Sequence, residues 1–381
     1  MKTLFDISPI QSSYSGINNG GSEYCKRVLF SIGEKGKLEK IDVVYDSNIG
    51  IPEDVMSFLN NHHVLMLSYK THSELSMLIN NYAIFYSAMA YTYFDVSIHN
   101  TTKFIYTIHG LRDIEMPFDK YAVAYDRNLK TFAKSIINKF FPQFLVNRAK
   151  DKINKLLKVT TNREIIAVSN HTKFSMLANL KGITDAEINV LYSPCKNSLL
   201  LNQGRKKYDD YFLMVSGNRW LKNNLRAAIA ADQLIGEKKI NYKIVITGVR
   251  NQKVYLSKIK NRENFIFLDY VSDDALENLY FHTSLFIYPS LNEGFGYPPI
   301  EAIKYSSICI CAADTSTTEV CGDSVLYFNP YDIMEIKTRI IEALDPSIRT
   351  ELLNKMNKQY EKILTKQNND LDVLIEKIIG N

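Results

Sequence analysis

The chain has 381 residues, of which 46% are hydrophobic and 23% are charged. These values are typical of a soluble globular protein, and the length suits two domains better than one core. The formal net charge of +5 allows an anionic partner without identifying one. No segment resembles a nucleic-acid-binding module, so we expect no nucleic acid partner.

Cysteine usage and the terminal residues predict a cytoplasmic protein. The five cysteines are an odd number without metal-like spacing, which favours a reducing compartment. The first residues, Met1 to Asp6, are typical of a strand rather than of a secretory signal. The least charged run, residues 80–94, is rich in tyrosine and shorter than the roughly 20 apolar residues that span a bilayer.

Short apolar runs alternate with helical patterns, which predicts an α/β fold with parallel sheets. We interpret each half as a doubly wound unit, with an N-terminal domain over residues 1–195 and a C-terminal domain over residues 205–359. A polar hinge covers residues 193–207, and residues 360–381 form a final helix. The predicted strands are Thr3–Ile7, Val43–Tyr45, Val64–Ser68, Ala83–Tyr86, Phe104–Ile108, Ile165–Val168, Asn189–Tyr192, Phe212–Val215, Lys243–Thr247, Phe265–Leu268, Leu285–Tyr288, Ile308–Cys311 and Val325–Phe328.

Two strand ends in the first half carry candidate binding residues, because ligands of open α/β sheets bind at the carboxyl ends of the strands. The glycine-rich loop from Ser15 to Glu23 precedes a helix, and its candidates are Gly20 and Gly21. Glycines let the backbone approach a phosphate or a sugar closely. His109 follows the strand ending at Ile108, and a structural histidine is the alternative that the sequence leaves open.

Residues 129–158 combine an apolar helical face with a basic one. Apolar residues recur at helical spacing from Leu129 to Phe141, while the cations of the segment face few acids, and Pro142 divides the stretch. The favoured interpretation is a core helix with a solvated basic face. The alternative is a peripheral contact with an anionic membrane, at the inner face of the cytoplasmic membrane.

Two loops in the second half follow predicted strands and precede helices. Residues 215–223 offer Arg219 and Lys222 near a helix start at about Asn223, and such cations suit a diphosphate. A solvated basic loop is the alternative. In the other loop, residues 269–276, Ser272 or Asp273 is the predicted helix cap.

The segment from Glu293 to Glu301 is the most informative part of the chain. A strand leads into a glycine turn, and a proline pair then predicts a helix whose first turn holds Glu301. Free amide groups, a positive helix end and two acids would surround one small space. A diphosphate-linked sugar suits that space, with its anion at the amides and its hydroxyls at the carboxylates. A glycine turn followed by a helix-dipole partner is the alternative.

This segment resembles the E-x7-E signature of retaining glycosyltransferases of family 4, whose usual text is close to E-G-F-G-L-P-x-L-E after a P-S pair. Pro289 and Ser290 supply the pair, and Tyr297 stands where Leu is usual. The resemblance implies the GT-B fold, two facing Rossmann-like domains with an inter-domain cleft. It also implies retaining transfer of a sugar from a UDP- or GDP-linked donor to a glycan or lipid-linked glycan acceptor, in bacterial surface polysaccharide biosynthesis.

The resemblance assigns roles to the motif residues. Glu293 would bond the hydroxyls of the donor sugar, assisted by the amides of Gly294, Phe295 and Gly296, and Glu301 would hold the ribose hydroxyls. The other candidates by resemblance are Lys222 and Arg219 at the diphosphate, Val271 at the nucleotide base, Gly20 and Gly21 at the donor, and His109 near the donor sugar. Two positions depart from the usual pattern: Gly110 stands where many relatives have Asp, and Arg219 comes later in its loop than usual.

No cofactor or metal is expected, because such transferases usually need none. The only D-x-D, Asp370 to Asp372, lies in the predicted final helix, where a solvated face explains it. Two alternatives to a transferase remain open at the sequence level. One is a non-catalytic nucleotide-sugar-binding partner subunit, and the other is a GT-B epimerase or phosphorylase.

Overall fold

The computed structural model describes residues 2–11, 20–125, 129–195 and 204–380, with only the backbone at residues 129–131 and 134. The predicted loop residues 15–19 and hinge residues 196–203 therefore lie outside the described part of the chain. Every predicted strand is present within two residues of its predicted bounds. The strands are β1 (Thr3–Asp6), β2 (Ile41–Asp46), β3 (Met66–Tyr69), β4 (Ile84–Ser87), β5 (Lys103–Ile108), β6 (Arg163–Ala167), β7 (Ile188–Val190), β8 (Tyr211–Met214), β9 (Lys243–Ile246), β10 (Phe265–Phe267), β11 (Leu285–Tyr288), β12 (Cys309–Ala312) and β13 (Leu326–Phe328).

Helices connect these strands on both sides of the sheets, as parallel crossovers require. Ser169 and Ser272 cap two of them, each accepting a hydrogen bond from the backbone N–H three residues later. The helices are α1 (Gly20–Glu34), α2 (Glu53–Asn61), α3 (His72–Ile79), α4 (Arg112–Glu115), α5 (Leu129–Phe140), α6 (Pro142–Leu156), α7 (Asn170–Asn179), α8 (Asn224–Gly236), α9 (Lys253–Leu256), α10 (Asp273–His282), α11 (Tyr297–Lys304), α12 (Ser316–Cys321), α13 (Ile333–Glu342) and α14 (Pro346–Ile379).

The chain divides into two compact units, each built on one parallel sheet. The first unit comprises residues 1–114, 147–197 and 364–381, and its seven strands run in the order β3-β2-β1-β4-β5-β6-β7. The order reverses direction between β1 and β4, which is the mark of a doubly wound sheet. The central strands are continuous apolar runs because helices cover both faces of the sheet.

The second unit comprises residues 115–146 and 198–363. Its six strands run in the order β10-β9-β8-β11-β12-β13, again all parallel, with the reversal between β8 and β11. The loops after β8 and β11 leave the same edge of the sheet, and the N–H of Leu291 donates to the carbonyl of Leu221 at 2.8 Å between them. This reversal is where a doubly wound sheet opens a crevice for a ligand.

Residues 115–146 group with the second unit, although the sequence assigned them to the first domain. Side-chain contacts explain the grouping. Asp119 forms an ion pair with the buried Arg226 of α8 at 2.7 Å, and Asn292 donates to Glu115 at 2.7 Å. Contacts of this kind join residues more than a hundred positions apart, so hydrophobic periodicity gives no sign of them.

The final helix α14 is 34 residues long, and its last part completes the first unit. Asp370 accepts a hydrogen bond from the backbone N–H of Tyr192, and Gln367 donates to the carbonyl of Ser193. Thr3 of β1 donates to the carbonyl of Ile378. The resemblance to family 4 implies such a return, because the last helix of the GT-B fold packs on the first domain.

The basic stretch of residues 129–158 forms α5 and α6, and the break between them comes at Pro142 as predicted. Its apolar side chains are not packed as the favoured interpretation of a core helix requires. The exposed fractions are 46% at Phe132, 50% at Ile137, 65% at Phe140, 63% at Phe141 and 62% at Phe144. Within the described ranges of the chain, no helix is both long enough and apolar enough to cross a bilayer.

Candidate active site

The two loops at the reversal of the second sheet bring Lys222 and Glu293 together. Lys222 ends a short 3-10 helix, Trp220–Lys222, after β8, and Glu293 lies in the turn after β11. The lysine ammonium donates to Oε1 of the carboxylate at 2.5 Å, and the two side chains are only 13% and 15% exposed. The sequence predicted both residues for one site, and the fold places them in contact.

Glu293 carries its charge in a site largely withdrawn from water. Its Oε1 also accepts hydrogen bonds from the hydroxyls of Tyr288 and Ser290, both at 2.5 Å. Burial alone would raise the pKa of the carboxyl, but the ammonium of Lys222 and these hydrogen bonds outweigh burial and lower it. The carboxylate is therefore ionised and oriented at neutral pH.

The backbone of Glu293 is held from the loop after β12. Its N–H donates to the hydroxyl of Thr315 at 2.9 Å, and its carbonyl accepts from the hydroxyl of Ser316 at 2.9 Å. Phe295 is 4% exposed and anchors the same turn in the core. The turn is thus preorganised rather than loose, which an electrostatic site requires.

Gly296 lets the chain turn into α11. Its φ of +97° lies in the left-handed region, where a side chain would be strained. Because α11 begins at Tyr297, Glu301 is the fifth helical residue, so the prediction that it lies in the first turn is wrong. The proline pair predicts a helix start, but proline is also tolerated one position later, where its missing N–H costs no helical bond.

Glu301 lies farther along the same helix and is half-buried. Its Oε2 accepts a hydrogen bond from the hydroxyl of Tyr280 in α10 at 3.3 Å. Val271, the candidate for the nucleotide base, is half-buried in the loop between β10 and the cap of α10. Both positions belong to loops or helices at the carboxyl end of the second sheet.

The turn that presents Lys222 has its own support. Asn223 adopts a left-handed conformation, with φ of +56°, immediately before α8. Its amide donates to the carbonyl of Pro330 at 2.8 Å and its side-chain oxygen accepts from Arg226 at 2.6 Å. Arg219, three residues before Lys222, is exposed. The lysine is therefore fixed on its turn, while the arginine extends into solvent.

The remaining predicted residues lie in the first unit. His109 follows β5 and places Nε2 at 2.9 Å from the carbonyl of Ala88, which requires the proton on that nitrogen. Burial lowers the pKa of His109 to about 4, so the ring is neutral at pH 7. Gly20 and Gly21 begin α1, and a side chain at Gly21 would clash with Met89.

Sequence reasoning missed the side chains that hold the site together. The sequence indicates Tyr288 only as the end of a strand and Ser290 only as part of the family motif. Their position next to the acid loop was the available signal. Nothing local pointed to Thr315 and Ser316, because they come from a different strand end.

A cavity of about 630 Å³ lies at the ends of β12 and β13 in the second unit. One wall is formed by Asp314, which precedes the two hydroxyl residues that bind the backbone of Glu293. The full lining is Met116, Ala313, Asp314, Tyr327, Phe328, Asn329, Pro330, Tyr331, Glu335 and Arg339. The cavity thus borders the support of the acid loop.

The fold and this site define the class of protein. Two doubly wound parallel units of seven and six strands form the GT-B fold, as predicted. The chain superposes on the crystal structure of Anabaena Alr3699/HepE in complex with UDP-glucose with a TM-score of 0.63, at 14% identity, covering 98% of this chain and 99% of that one. At that identity the likeness is one of fold.

Sequence comparisons show which proteins parts of the chain resemble. The family model described as glycosyl transferases group 1 matches residues 200–363, which contain Lys222, Glu293 and Glu301. The O-antigen chain mannosyltransferase B of Escherichia coli is 32% identical over 158 residues, 40% of this chain and 41% of that protein. The O-antigen chain mannosyltransferase RfbU of Salmonella typhimurium is 26% identical over 216 residues, 55% of this chain and 59% of that protein. Residues 200–363 are thus similar to the group 1 glycosyl transferases, which bears out the resemblance to family 4 for that part of the chain.

Proposed function

We propose that the protein is a retaining glycosyltransferase that moves a sugar from a nucleotide diphosphate donor to a glycan acceptor in surface polysaccharide synthesis. The observation that carries the proposal is the contact of Lys222 with the ionised Glu293 at the reversal of the second sheet. A cation beside a buried carboxylate provides for both halves of a donor, the diphosphate and the sugar hydroxyls. The family of residues 200–363 supports the same chemistry.

The proposed roles follow from chemistry at each position. The carboxylate of Glu293 accepts hydrogen bonds from the donor sugar's hydroxyls, with the amides of Gly294, Phe295 and Gly296 beside it. Glu301 accepts from the ribose hydroxyls. The backbone at Val271 contacts the base, and Lys222 with Arg219 stabilises the negative charge that develops on the diphosphate. The candidates in the first unit are Gly20 and Gly21 for the donor and His109 for the donor sugar.

The bond changes of the proposed transfer balance without a protein nucleophile. The bond between the anomeric carbon and the phosphate oxygen breaks, and the sugar acquires oxocarbenium character. The acceptor oxygen then bonds to the same face of that carbon, and the departing phosphate oxygen takes the acceptor's proton. The protein contributes position and electrostatic stabilisation.

The sugar we propose to test first is mannose, because two similar proteins are named O-antigen chain mannosyltransferases. The donor panel should contain GDP-mannose and UDP-glucose, with the free nucleotides as controls. The chain has a single tryptophan, Trp220, two positions before Lys222. Its fluorescence should therefore change when a diphosphate binds at Lys222, and the right donor should give the lowest Kd.

The site assignment is tested with Glu293→Ala and Lys222→Ala. Both variants should lose turnover by about 100-fold or more, since each removes a charge that acts in the transition state. Lys222→Ala should also weaken the binding of a nucleoside diphosphate, as measured by Trp220 fluorescence. The matched control is Lys337→Ala, which removes a similarly buried lysine from its 2.6 Å ion pair with Glu237. Full turnover in both site variants would overturn the assignment, and donor binding without turnover in the wild type would favour a binding subunit.

We also propose that the reaction needs no metal ion. Lys222 and Arg219 supply the positive charge that a divalent cation would otherwise bring to the diphosphate. Turnover in EDTA should equal turnover in added magnesium or manganese. Complete loss in EDTA, restored by manganese, would contradict this proposal.

We propose that α5 and α6 place the protein on an anionic membrane, at the inner face of the cytoplasmic membrane. The exposed apolar side chains there belong to a segment whose sequence also contains eight cations and one acid, Asp151. The cations are Lys130, Lys134, Lys139, Arg148, Lys150, Lys152, Lys155 and Lys158. Exposed aromatic residues among cations are what an interfacial helix presents to anionic lipids. A lipid-linked glycan acceptor would be bound at that membrane surface.

Vesicle flotation tests this membrane contact. The wild type should float with vesicles containing phosphatidylglycerol and not with pure phosphatidylcholine, and the triple variant F140S/F141S/F144S should stay at the bottom of the gradient. Phe174→Ser is the matched control, because Phe174 is equally exposed, at 61%, on α7. Equal flotation of the triple variant and the wild type would refute the assignment.

A further inference from the structure

Tyr288 connects the two charged residues of the site. It is the last residue of β11 and only 2% exposed. Its hydroxyl donates to Oε1 of Glu293 at 2.5 Å and accepts from Nζ of Lys222 at 3.0 Å. The same ammonium lies 5.2 Å from the centroid of the phenol ring. Lys222, Tyr288 and Glu293 thus form a closed triangle of hydrogen bonds.

We propose that Tyr288 is a positioning residue that keeps Glu293 hydrogen-bonded and oriented when Lys222 turns to the diphosphate of a bound donor. This inference rests on the proposed function. In the structure, the ammonium is engaged with Glu293, so binding a diphosphate must draw it partly away. The hydroxyl of Tyr288 then remains hydrogen-bonded to the carboxylate of Glu293. This bond limits the destabilisation of a buried charge that has lost its cationic partner.

A phenol suits this task because it keeps its proton. Burial and the neighbouring carboxylate of Glu293 raise the pKa of Tyr288 well above its ordinary value. The hydroxyl therefore donates at any working pH, and since it donates to Glu293, its lone pair faces Lys222. Ser290 donates to the same carboxylate oxygen, whereas the phenol of Tyr288 contacts both the carboxylate and the lysine.

The competing explanation is that Tyr288 is merely a buried tyrosine that fills the core. The neighbouring strand provides a control for this explanation. Tyr211 of β8 is 1% exposed, and its hydroxyl donates to the carbonyl of Leu279 at 2.7 Å. Tyr211→Phe therefore removes a buried hydroxyl from the same sheet without touching either charged residue.

The experiment compares Tyr288→Phe with Tyr211→Phe in the full chain. Both should lower the melting temperature by similar amounts. Only Tyr288→Phe should lower kcat, by about 10- to 100-fold, as expected for a lost hydrogen bond to a charged group. The acid limb of the pH profile of kcat should also move to higher pH in Tyr288→Phe. The reason is that the carboxylate of Glu293 loses a hydrogen-bond donor that lowers its pKa. The Kd of the free nucleoside diphosphate should change less than kcat, since Lys222 remains.

A second readout separates failure of this inference from failure of the proposed function. Carbon-13 NMR of the glutamate carboxyls, with the Glu293 signal assigned from Glu293→Gln, follows the titration without any donor. In Tyr288→Phe the Glu293 signal should titrate at higher pH than in the wild type and in Tyr211→Phe. An unchanged titration would overturn the positioning role even if transfer is observed. A shifted titration with no turnover on any donor would support the role of Tyr288 at Glu293 and count against the proposed transferase function.

Discussion

Two ionisable residues at strand ends show how the surroundings of a side chain decide its charge. Glu293 and His109 both lie largely away from water. The glutamate has an ammonium and two hydroxyls on one oxygen, so its pKa falls and its charge persists. The histidine has a backbone carbonyl as its ring partner, and burial lowers its pKa to about 4 and keeps it neutral. The first residue can hold a charged or hydroxylated ligand, and the second can only accept or donate as a neutral ring.

The neutral state of His109 predicts a pH dependence of stability. An unfolded histidine binds its proton near pH 6.5, whereas the folded one does so near pH 4. Between these values the unfolded state holds more protons, so the contribution is fully present above about pH 6.5 and is lost as pH falls towards 4. The loss amounts to at most about 3 kcal/mol.

Urea unfolding of the wild type and His109→Gln between pH 4.5 and 7.5 measures this effect. The advantage of the wild type over the variant should shrink as pH falls, because glutamine cannot be protonated. The exposed His62, changed to glutamine, is the surface control for the substitution itself. Parallel profiles for the wild type and His109→Gln would contradict the assignment of a neutral, buried ring.

At the scale of elements, the support of the site includes the segment 115–146, which lies far from the site residues in sequence. The guanidinium of Arg226 in α8 lies 4.7 Å from the ring of Tyr121 and 5.3 Å from that of Tyr331. It pairs with Asp119 and donates to Asn223, the residue that follows Lys222. The segment before α5 is thereby attached to the helix whose N-terminus carries the site lysine.

Breaking this buried pair should be costly. Asp119→Ala leaves the cation of Arg226, with its side chain only 2% exposed, without its carboxylate, and such a loss destabilises by about 3–5 kcal/mol. Denaturant unfolding followed by Trp220 fluorescence reports on the second unit. Asp210→Ala, which removes an exposed i,i+4 pair with Lys206, should cost less than about 1 kcal/mol. Similar costs for the two variants would show that the pair of Arg226 is not structurally important.

At the scale of the whole molecule, the chain crosses between its two units more than once. Residues 147–197 return to the first unit after residues 115–146, and the end of α14 returns again. Ile375 and Ile378 in that last part are 0% exposed, so the final residues belong to the core of the first unit. Each unit is therefore assembled from segments that are far apart in sequence.

This assembly predicts that a core substitution in α14 acts on one unit only. Ile375→Ala should destabilise the first unit by about 2–5 kcal/mol, the usual cost of a large-to-small change in a core. Circular dichroism, which follows both units, should show an earlier transition, while Trp220 fluorescence, which follows the second unit, should move less. Val373→Ala, at a 45% exposed position of the same helix, should change neither. A joint shift of both probes would mean that the units unfold as one.

Much of the fold could be predicted from sequence because its signals are local. Apolar runs with short spacing predicted every strand of both sheets, and the cap of α10 was narrowed to Ser272 or Asp273, of which Ser272 is the cap. The contact of Lys222 with Glu293 was predictable in kind, since the carboxyl ends of adjacent parallel strands meet at one edge. The predicted start of α11, at the proline pair, differs from the observed start at Tyr297 because the left-handed conformation of Gly296 leaves no mark beyond the glycine itself.

The sequence by itself determined the succession of strands along the chain, the family motif, and which acidic and basic residues are candidates for the site. Only the tertiary structure decided which hydroxyls hold Glu293, that residues 115–146 join the second unit, and that the apolar face of α5 and the start of α6 stay exposed. The physical reason is that periodicity reports which residues can be buried together. What actually covers a side chain or donates to a carboxylate comes from segments that lie elsewhere in the sequence and meet it only in the folded chain.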